Sequence, residues 1–182
     1  MNLFTPTWFM EGLWHPPQTP SQLLVLLALA VFAGQQGRLF PGSLLLFFIA
    51  SLIGGFVLNH FYTPNWNVEL FLLVIALITS LLVVLRLELS PGLSKWVLLP
   101  FALISGVMLG LDSTPIMIPG LGNEITYNWL AGALTSMLLL FSVLNALSYV
   151  SRNLVNGVVL RVAGSWIATS ALFVLTLLFV KQ

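Results

Sequence analysis

Side chains that bind metal ions are scarce in this chain, and the most distinctive of them is His15. Glu11 precedes His15 by four residues, which is one turn away if the segment is helical, and Pro16 and Pro17 fix the backbone directly after it. Imidazole and carboxylate ligands together suit nickel, cobalt or zinc ions. His15 is therefore a candidate metal ligand. The alternative is a surface histidine beside the aromatic residues of the N-terminus.

Polar side chains inside otherwise apolar stretches form a second set of candidates. Ser105 lies seven residues before Asp112. This spacing places both on one helix face, about 10 Å apart, so that both can line one path. Asn145, with Ser142 and Ser148 at three-residue intervals, forms a polar stripe. Hydrogen bonding between helices is the alternative to substrate contact for this stripe.

The motifs of several common function classes are missing from the sequence. There is no cysteine for a disulfide, thiolate metal site or redox pair, and no catalytic triad, phosphate-binding loop or two-histidine metalloprotease helix. The net charge of +1 and the lack of a basic run argue against nucleic-acid binding. We therefore expect neither an enzyme nor a resident cofactor.

The elements that must position these residues are transmembrane helices. Of the 182 residues 59% are apolar and 6% are charged, against roughly 25% charged in an ordinary soluble domain. The apolar runs are continuous, as over 44–56 and 70–85, whereas the strands of a membrane barrel alternate apolar and polar residues. The sequence predicts an all-α bundle of six spans at 20–37, 40–60, 67–86, 95–112, 128–150 and 157–180.

The N-terminal stretch 1–19 is predicted to be an interfacial segment outside the membrane domain, which covers 20–182. It carries Phe4, Trp8, Phe9 and Trp14, aromatic residues typical of the membrane–water boundary. It lacks the positive region and cleavage site of a signal peptide. Pro16 and Pro17 precede the first span together with Pro20, and proline is well tolerated at a helix start.

Charge asymmetry orients the predicted bundle. The basic residues Arg38, Arg86, Lys95 and Arg152 fall in the connections after the first, third and fifth spans. The positive-inside rule places these short connections in the cytoplasm and both termini outside. The outer side then holds most of the acids and both histidines: Glu11, Glu69, Asp112, Glu124, His15 and His60. An acidic outer face suits cation capture, although ordinary membrane topology explains it equally well.

Two further patterns concern packing between the spans. Small residues recur at four-residue spacing in most of them and predict close approach of neighbouring helices: Ala50/Gly54, Ser51/Gly55, Gly106/Gly110, Gly132/Ser136 and Gly164/Ala168. Arg161 lies about one turn into the last span. There it is expected to face the bundle interior or to snorkel to the interface with a partner such as Asn145 or Glu88.

Three stretches of the sequence resemble the HupE/UreJ family of hydrogenase and urease accessory membrane proteins. The run from Trp14 to Gly37, WHPPQTPSQLLVLLALAVFAGQQG, is similar to the first-helix region of the family. ISGVMLGLD, which ends at Asp112, has the spacing of its Phe-His-Gly-x-x-x-Gly-x-Glu element, and RVAGSWIA from Arg161 is similar to the start of its last helix. The resemblance implies a bacterial cytoplasmic-membrane permease for nickel or a related divalent metal ion.

The resemblance also implies a ligand set. In the family motif His-Pro-x-x-Gly-x-Asp-His, His15 and Pro16 match, while Thr19, Ser21 and Gln22 stand at the glycine, aspartate and second histidine positions. In the second motif Ser105 replaces histidine and Asp112 replaces glutamate. His15 and Asp112 are then the main ligands, joined by Glu11 or Glu124, with oxygen atoms of Ser21, Gln22 and Ser105 completing a weaker site. Such a harder donor set favours less nickel-selective binding.

Two functions remain open from the sequence. One is a permease that moves a divalent ion inward from a site at the outer face. The other is a non-transporting accessory or scaffold subunit of a larger membrane complex, in which the metal site is vestigial. The expected partners are the lipid bilayer and either another membrane protein or a second copy of the chain.

Overall fold

A computed structural model describes residues 6–37, 42–62, 64–87, 89–113 and 123–180. Within these ranges the regular secondary structure is helical throughout, which confirms the predicted all-α class. The helices are α1 (Pro6–Gln18), α2 (Pro20–Gln35), α3 (Gly42–Phe61), α4 (Val68–Val84), α5 (Pro91–Asp112), α6 (Asn123–Ser151) and α7 (Val158–Val180), with a 3-10 turn at Leu154–Gly157.

Several of these helices suit a membrane. In the described residues, three helical stretches are long and apolar enough to cross a bilayer, namely Leu44–Phe61, Glu124–Ser151 and Leu154–Val180. The pair α1 and α2, bent by 69° at its junction, counts as a fourth if the two form one broken span. Val68–Val84 and Trp96–Asp112 are apolar but shorter. The described structure is thus all-helical, with three or four helices that are long and apolar enough to span a membrane, fewer than the six spans that the sequence predicts.

Proline and threonine set the junction between α1 and α2. Pro20 occupies the first turn of α2, where its missing N–H costs no hydrogen bond, as the sequence predicts. Thr19 precedes it in an extended conformation, and the Thr19 hydroxyl donates to the His15 carbonyl at 2.9 Å. Pro16 and Pro17, in contrast, lie inside α1 near its end. Pro16 and Pro17 precede α2, as predicted, and they are also part of the helix α1.

The N-terminal stretch packs on the bundle as α1. Gly12 rests directly on the backbone of α6 at Trp129, and Gly132 of α6 rests on the backbone of α1 at Phe9. Because neither glycine has a side chain, the two helices come into backbone contact. α6 begins at Asn123, five residues before the predicted span 128–150, so the predicted start of this helix is wrong. Glu124 lies in the first turn of α6, where an acidic side chain interacts favourably with the helix dipole.

Contacts between helices define their relative directions. α2 and α6 run the same way, because the Asn145 Nδ2 donates to the Ala30 carbonyl at 3.3 Å and Gly34 packs on Ser148. Contacts of the same kind show that α2 parallels α4, that α3 parallels α5 and that α4 and α7 are antiparallel. The bundle therefore has two ends. One holds Gln22 and Asp112, and the other holds the last turns of α2, α4 and α6.

The apolar core surrounds α2, which is buried along most of its length. Its largest fully buried apolar side chains come from five helices, α2 to α6: Leu26, Leu29, Phe32, Phe48, Leu52, Leu72, Leu73, Leu98, Leu109, Met137 and Phe141. Gln22 is fully buried and Gln35 is half-buried, near opposite ends of α2. These glutamines dilute the hydropathy of α2 without facing lipid, because neighbouring helices cover the helix.

The predicted small-residue contacts occur in α3 and α5. A Cβ atom on Gly106 would collide with the Ser51 side chain, and one on Gly110 would lie 2.7 Å from the Gly55 Cα. The pairs Ser51/Gly55 and Gly106/Gly110 therefore pack as predicted. A Cβ on Gly54 would meet nothing within 4 Å, so the prediction of close helix approach is wrong at Gly54. Gly54 is the neighbour of Gly55 in α3, and a Cβ atom there would be directed away from α5.

Candidate cation site

A polar cluster lies at the end of the bundle where α1, α2 and α5 meet. Gln22 is its centre, since its Nε2 donates to the Asp112 Oδ2 at 2.8 Å and to the Ser113 Oγ at 3.3 Å. His15 lies beside Gln22, close enough to interact electrostatically with Asp112. The structure thus brings His15, Gln22 and Asp112 together from three helices. We call these residues with Ser113 the Gln22 cluster.

Local structure fixes each member of the Gln22 cluster. The bend between α1 and α2 turns His15 back towards Gln22, and the His15 ring packs edge-on against Trp129, with ring centroids 4.9 Å apart. α5 ends at Asp112, and the Ser113 hydroxyl donates to the Leu109 carbonyl at 2.8 Å. A carboxylate at a helix C-terminus faces the unfavourable end of the helix dipole. The amide donor of Gln22 compensates for part of that cost.

Several polar atoms in this region are buried without a hydrogen-bond partner in the described structure. They are the His15 Nδ1, the Gln22 Oε1, the Ser21 Oγ and the Ser105 Oγ. An unpaired buried polar atom costs about 1–3 kcal/mol. Two of them, the His15 Nδ1 and the Gln22 Oε1, belong to the cluster itself. Together with the Asp112 carboxylate they form a nitrogen and oxygen donor set suited to a cation.

The two other acidic candidates lie on exposed helix surfaces. Glu11 is exposed on α1, and Glu124 is exposed in the first turn of α6. Within the described ranges, no three His, Cys, Asp or Glu side chains are grouped so that they could hold a metal ion. The predicted combination of His15 and Asp112 with either glutamate is therefore not assembled. The structure supplies an amide, from Gln22, in its place.

The predicted path residues divide into two groups. Ser105 and Ser21 are fully buried in the same helices as Asp112 and Gln22, respectively. Asn145 lies elsewhere, because it binds the Ala30 carbonyl, two turns further along α2 from Gln22. Ser148 bonds to the carbonyl of Leu144 in its own helix at 2.7 Å. The stripe on α6 serves contact between helices, which is the alternative that the sequence left open.

Arg161 and His60, which the sequence analysis also singled out, lie away from the Gln22 cluster. The Arg161 Nε donates to the Val84 carbonyl at 3.1 Å, at the end of α4. Asn145, one predicted partner of Arg161, does not accept this bond. Glu88, the other predicted partner, lies outside the described residues, as does Arg38. His60 is exposed at the end of α3, with its ring against Phe61. Neither Arg161 nor His60 adds a ligand to the cluster.

Comparison with family models, with curated proteins and with solved structures gives no match for this chain.

Sequence reasoning did not identify Ser113, a member of the cluster, or Trp129, which packs on His15. Ser113 directly follows the predicted span 95–112, and Trp129 lies in the predicted span 128–150. The available signals were weak, because a serine after a helix and a tryptophan near a helix start are common. The Trp129 contact depends on the packing of α1 on α6 and the Ser113 contact on the packing of α2 against the end of α5, so both follow from tertiary structure.

Proposed function

We propose that this chain is a multi-pass protein of the bacterial cytoplasmic membrane that binds a divalent metal ion at the Gln22 cluster and carries it inward. The observation behind the proposal is the meeting of His15, Gln22 and Asp112, with the His15 Nδ1 and the Gln22 Oε1 buried and unpaired. A cation would satisfy both atoms and the carboxylate at once. Nickel and related ions fit the nitrogen and oxygen donors, as does the resemblance to HupE/UreJ permeases.

Weak affinity is expected for such a site. Two strong ligands and an amide oxygen make a sparse donor set, and a permeating ion must also be able to leave. The sequence holds no nucleotide-binding motif, so the membrane potential is the proposed driving force. It contributes about 2.3 kcal/mol per charge per 100 mV, and therefore about twice that for a divalent ion.

The proposed topology has six passes, formed by α2 to α7, with both termini in the periplasm. The alternating directions of these helices support it, because α2, α4 and α6 run one way and α3 and α5 run together. α4 has 17 residues, which is at the short end of the range for a spanning helix. The positive-inside rule then orients the Gln22 cluster outward.

The test is metal binding to purified protein and metal uptake by vesicles, with nickel, cobalt and zinc each used as the probe. His15→Ala and Gln22→Leu should each weaken binding about tenfold or more, since lost interactions with a charged group are worth about 1.5–3 kcal/mol. Asp112→Asn keeps the shape of the side chain and removes its charge, so it should abolish uptake. Glu11→Gln is the matched control, because Glu11 is an exposed carboxylate on α1.

The proposal fails if the unaltered protein binds none of the three ions saturably. It also fails if Glu11→Gln weakens binding as much as Asp112→Asn, because the effect would then come from surface charge. To check that each variant is folded, its amount in the membrane and its melting temperature should match those of the unaltered protein.

The second candidate function is a non-transporting accessory subunit of a membrane complex. One observation favours it: fully buried apolar side chains, including Leu26, Leu29 and Met137, fill the described core between the Gln22 cluster and Asn145. Within α2 itself, all residues from Leu23 to Ala30 are apolar. If metal binds but is never transported into sealed vesicles, this accessory function is the one supported.

A further inference from the structure

A second polar region lies at the opposite end of the bundle, where α2, α4 and α6 end. It is a cavity of about 280 Å³, and its polar lining includes Gln35, Gln36, Arg86, Arg152 and Asn153. A single water molecule needs only about 10–15 Å³ of such space. No carboxylate is among the described residues that line it. The cavity is therefore large, and its described lining contains two arginines and no carboxylate.

The wall of this cavity is well fixed by hydrogen bonds. The Gln36 Nε2 donates to the Leu87 carbonyl at 2.6 Å, and its Oε1 accepts from the Leu89 N–H at 3.1 Å. The Gln35 Nε2 donates to the Val83 carbonyl at 3.0 Å, while the Gln35 Oε1 is buried without a partner in the described structure. Gln35 thus presents an unused acceptor beside the arginines.

The arginine side chains are held by glycines and by an aromatic ring. Gly37, with φ of 70°, lies so close to Arg152 that a Cβ atom there would collide with its guanidinium. A Cβ on Gly157, with φ of 79°, would lie 3.8 Å from the Arg86 Nε. The Arg152 guanidinium also lies over the Tyr149 ring, 4.5 Å from its centroid. A guanidinium that lies over an aromatic ring can still offer the N–H groups in its plane to a phosphate in a bidentate contact.

The surroundings of the cavity are apolar and exposed. The side chains of Leu85, Leu154, Val155, Val158 and Val159 are all exposed on the helix ends beside it. A polar, basic cavity bordered by apolar surface matches the two parts of a phospholipid, the headgroup and the acyl chains. Basic pockets between helices on the cytoplasmic side of a membrane are known to receive anionic headgroups. Charge asymmetry predicts that this end is cytoplasmic.

We propose that the cavity between the ends of α2, α4 and α6 binds the phosphate of an anionic lipid headgroup through Arg86 and Arg152. The unpaired Gln35 Oε1 accepts a hydrogen bond from a headgroup hydroxyl. The simpler role of the arginines would be to offset the negative ends of three helix dipoles. Arg161 plays that simpler role directly, since it bonds to the Val84 carbonyl. Arg161 is not among the residues that line the cavity.

The test measures thermal unfolding of purified protein in detergent, with added phosphatidylglycerol, phosphatidylcholine or inorganic phosphate. Phosphatidylglycerol should raise the melting temperature, and phosphatidylcholine should not. Arg152→Gln should require about tenfold more phosphatidylglycerol for the same shift, since a charge-assisted bidentate contact is lost. Arg161→Gln is the matched control at the same end of the bundle, and it should behave like the unaltered protein.

Each outcome decides the proposal. An equal shift with inorganic phosphate alone would support the anion site and identify free phosphate as its source. The proposal is overturned if both lipids act alike, or if Arg152→Gln and Arg161→Gln respond to phosphatidylglycerol as the unaltered protein does. If Arg152→Gln does not fold, native mass spectrometry of the unaltered protein from an equimolar lipid mixture decides instead. Enrichment of phosphatidylglycerol in the bound fraction is expected, and equal retention refutes the proposal.

Discussion

Replacing Gly55 by alanine should destabilise the bundle, whereas the same change at Gly54 should not. The two residues are neighbours in α3 and differ in their surroundings. A Cβ on Gly55 would press against the Val107 carbonyl oxygen and lie 2.8 Å from the Gly110 Cα, whereas a Cβ on Gly54 meets nothing within 4 Å. The obstacle at Gly55 is backbone, which cannot turn aside as a flexible side chain can.

The magnitude follows from a comparison of the two variants. Both gain about 0.5–1 kcal/mol from replacing a helical glycine by alanine, so this term cancels between them. Forcing one extra methyl group into a packed contact costs about 1–3 kcal/mol. A protein of this size loses about 2–4 °C in melting temperature per kcal/mol. Gly55→Ala should therefore melt roughly 2–12 °C below Gly54→Ala.

Intrinsic fluorescence measures this difference without a label, because the chain has six tryptophans. The two variants should be purified in the same detergent and heated at the same rate, since membrane proteins often unfold irreversibly and the apparent melting temperature then depends on scan rate. If Gly55→Ala melts at or above Gly54→Ala, α3 and α5 do not pack through Gly55 and Gly110, and the close-approach argument fails.

Three further predictions follow from the same structure. Single cysteines introduced at 90 or 154 should resist an impermeant reagent added from the periplasmic side, and labelling there would reverse the proposed orientation. Asn145→Leu should lower the free energy of unfolding by about 0.6 kcal/mol, the average for a hydrogen bond between membrane helices, and should leave metal binding unchanged in a titration. His15→Ala combined with Asp112→Asn should weaken metal binding little more than either change alone, because residues of one site are not additive; additive losses would indicate independent sites.

Helix class was predictable from the sequence because the apolar runs are continuous. α4 lies inside the predicted span 67–86, and α2 begins at Pro20 as expected. The start of α6 was not predictable in the same way. Its first residues include Asn123 and Glu124, which are polar and precede the apolar run of the predicted span. They are helical all the same, and hydrophobic periodicity does not mark a polar helix end.

The candidate site was predictable in part. The spacing of Ser105 and Asp112 placed two of its polar residues on one face, and the resemblance marked His15 and Gln22 as equivalent to ligands. The sequence did not reveal which face of α1 packs on the bundle. Glu11 and His15 are one turn apart, yet Glu11 is exposed while His15 is half-buried against Trp129. The packing of Gly12 on α6 determines that difference.

The two polar regions impose different requirements on the bundle. The Gln22 cluster and the arginine-lined cavity lie at opposite ends of α2, and the core between them is apolar. A carrier with one site must open one side while it closes the other, so inward release needs a movement that this conformation does not contain. If the chain carries an ion as proposed, the bent junction of α1 and α2 is the natural hinge for that movement, because Thr19 separates the two helices and His15 lies on the α1 side of the bend. Movement of α1 on α6 would then withdraw His15 from Asp112 and weaken cation binding.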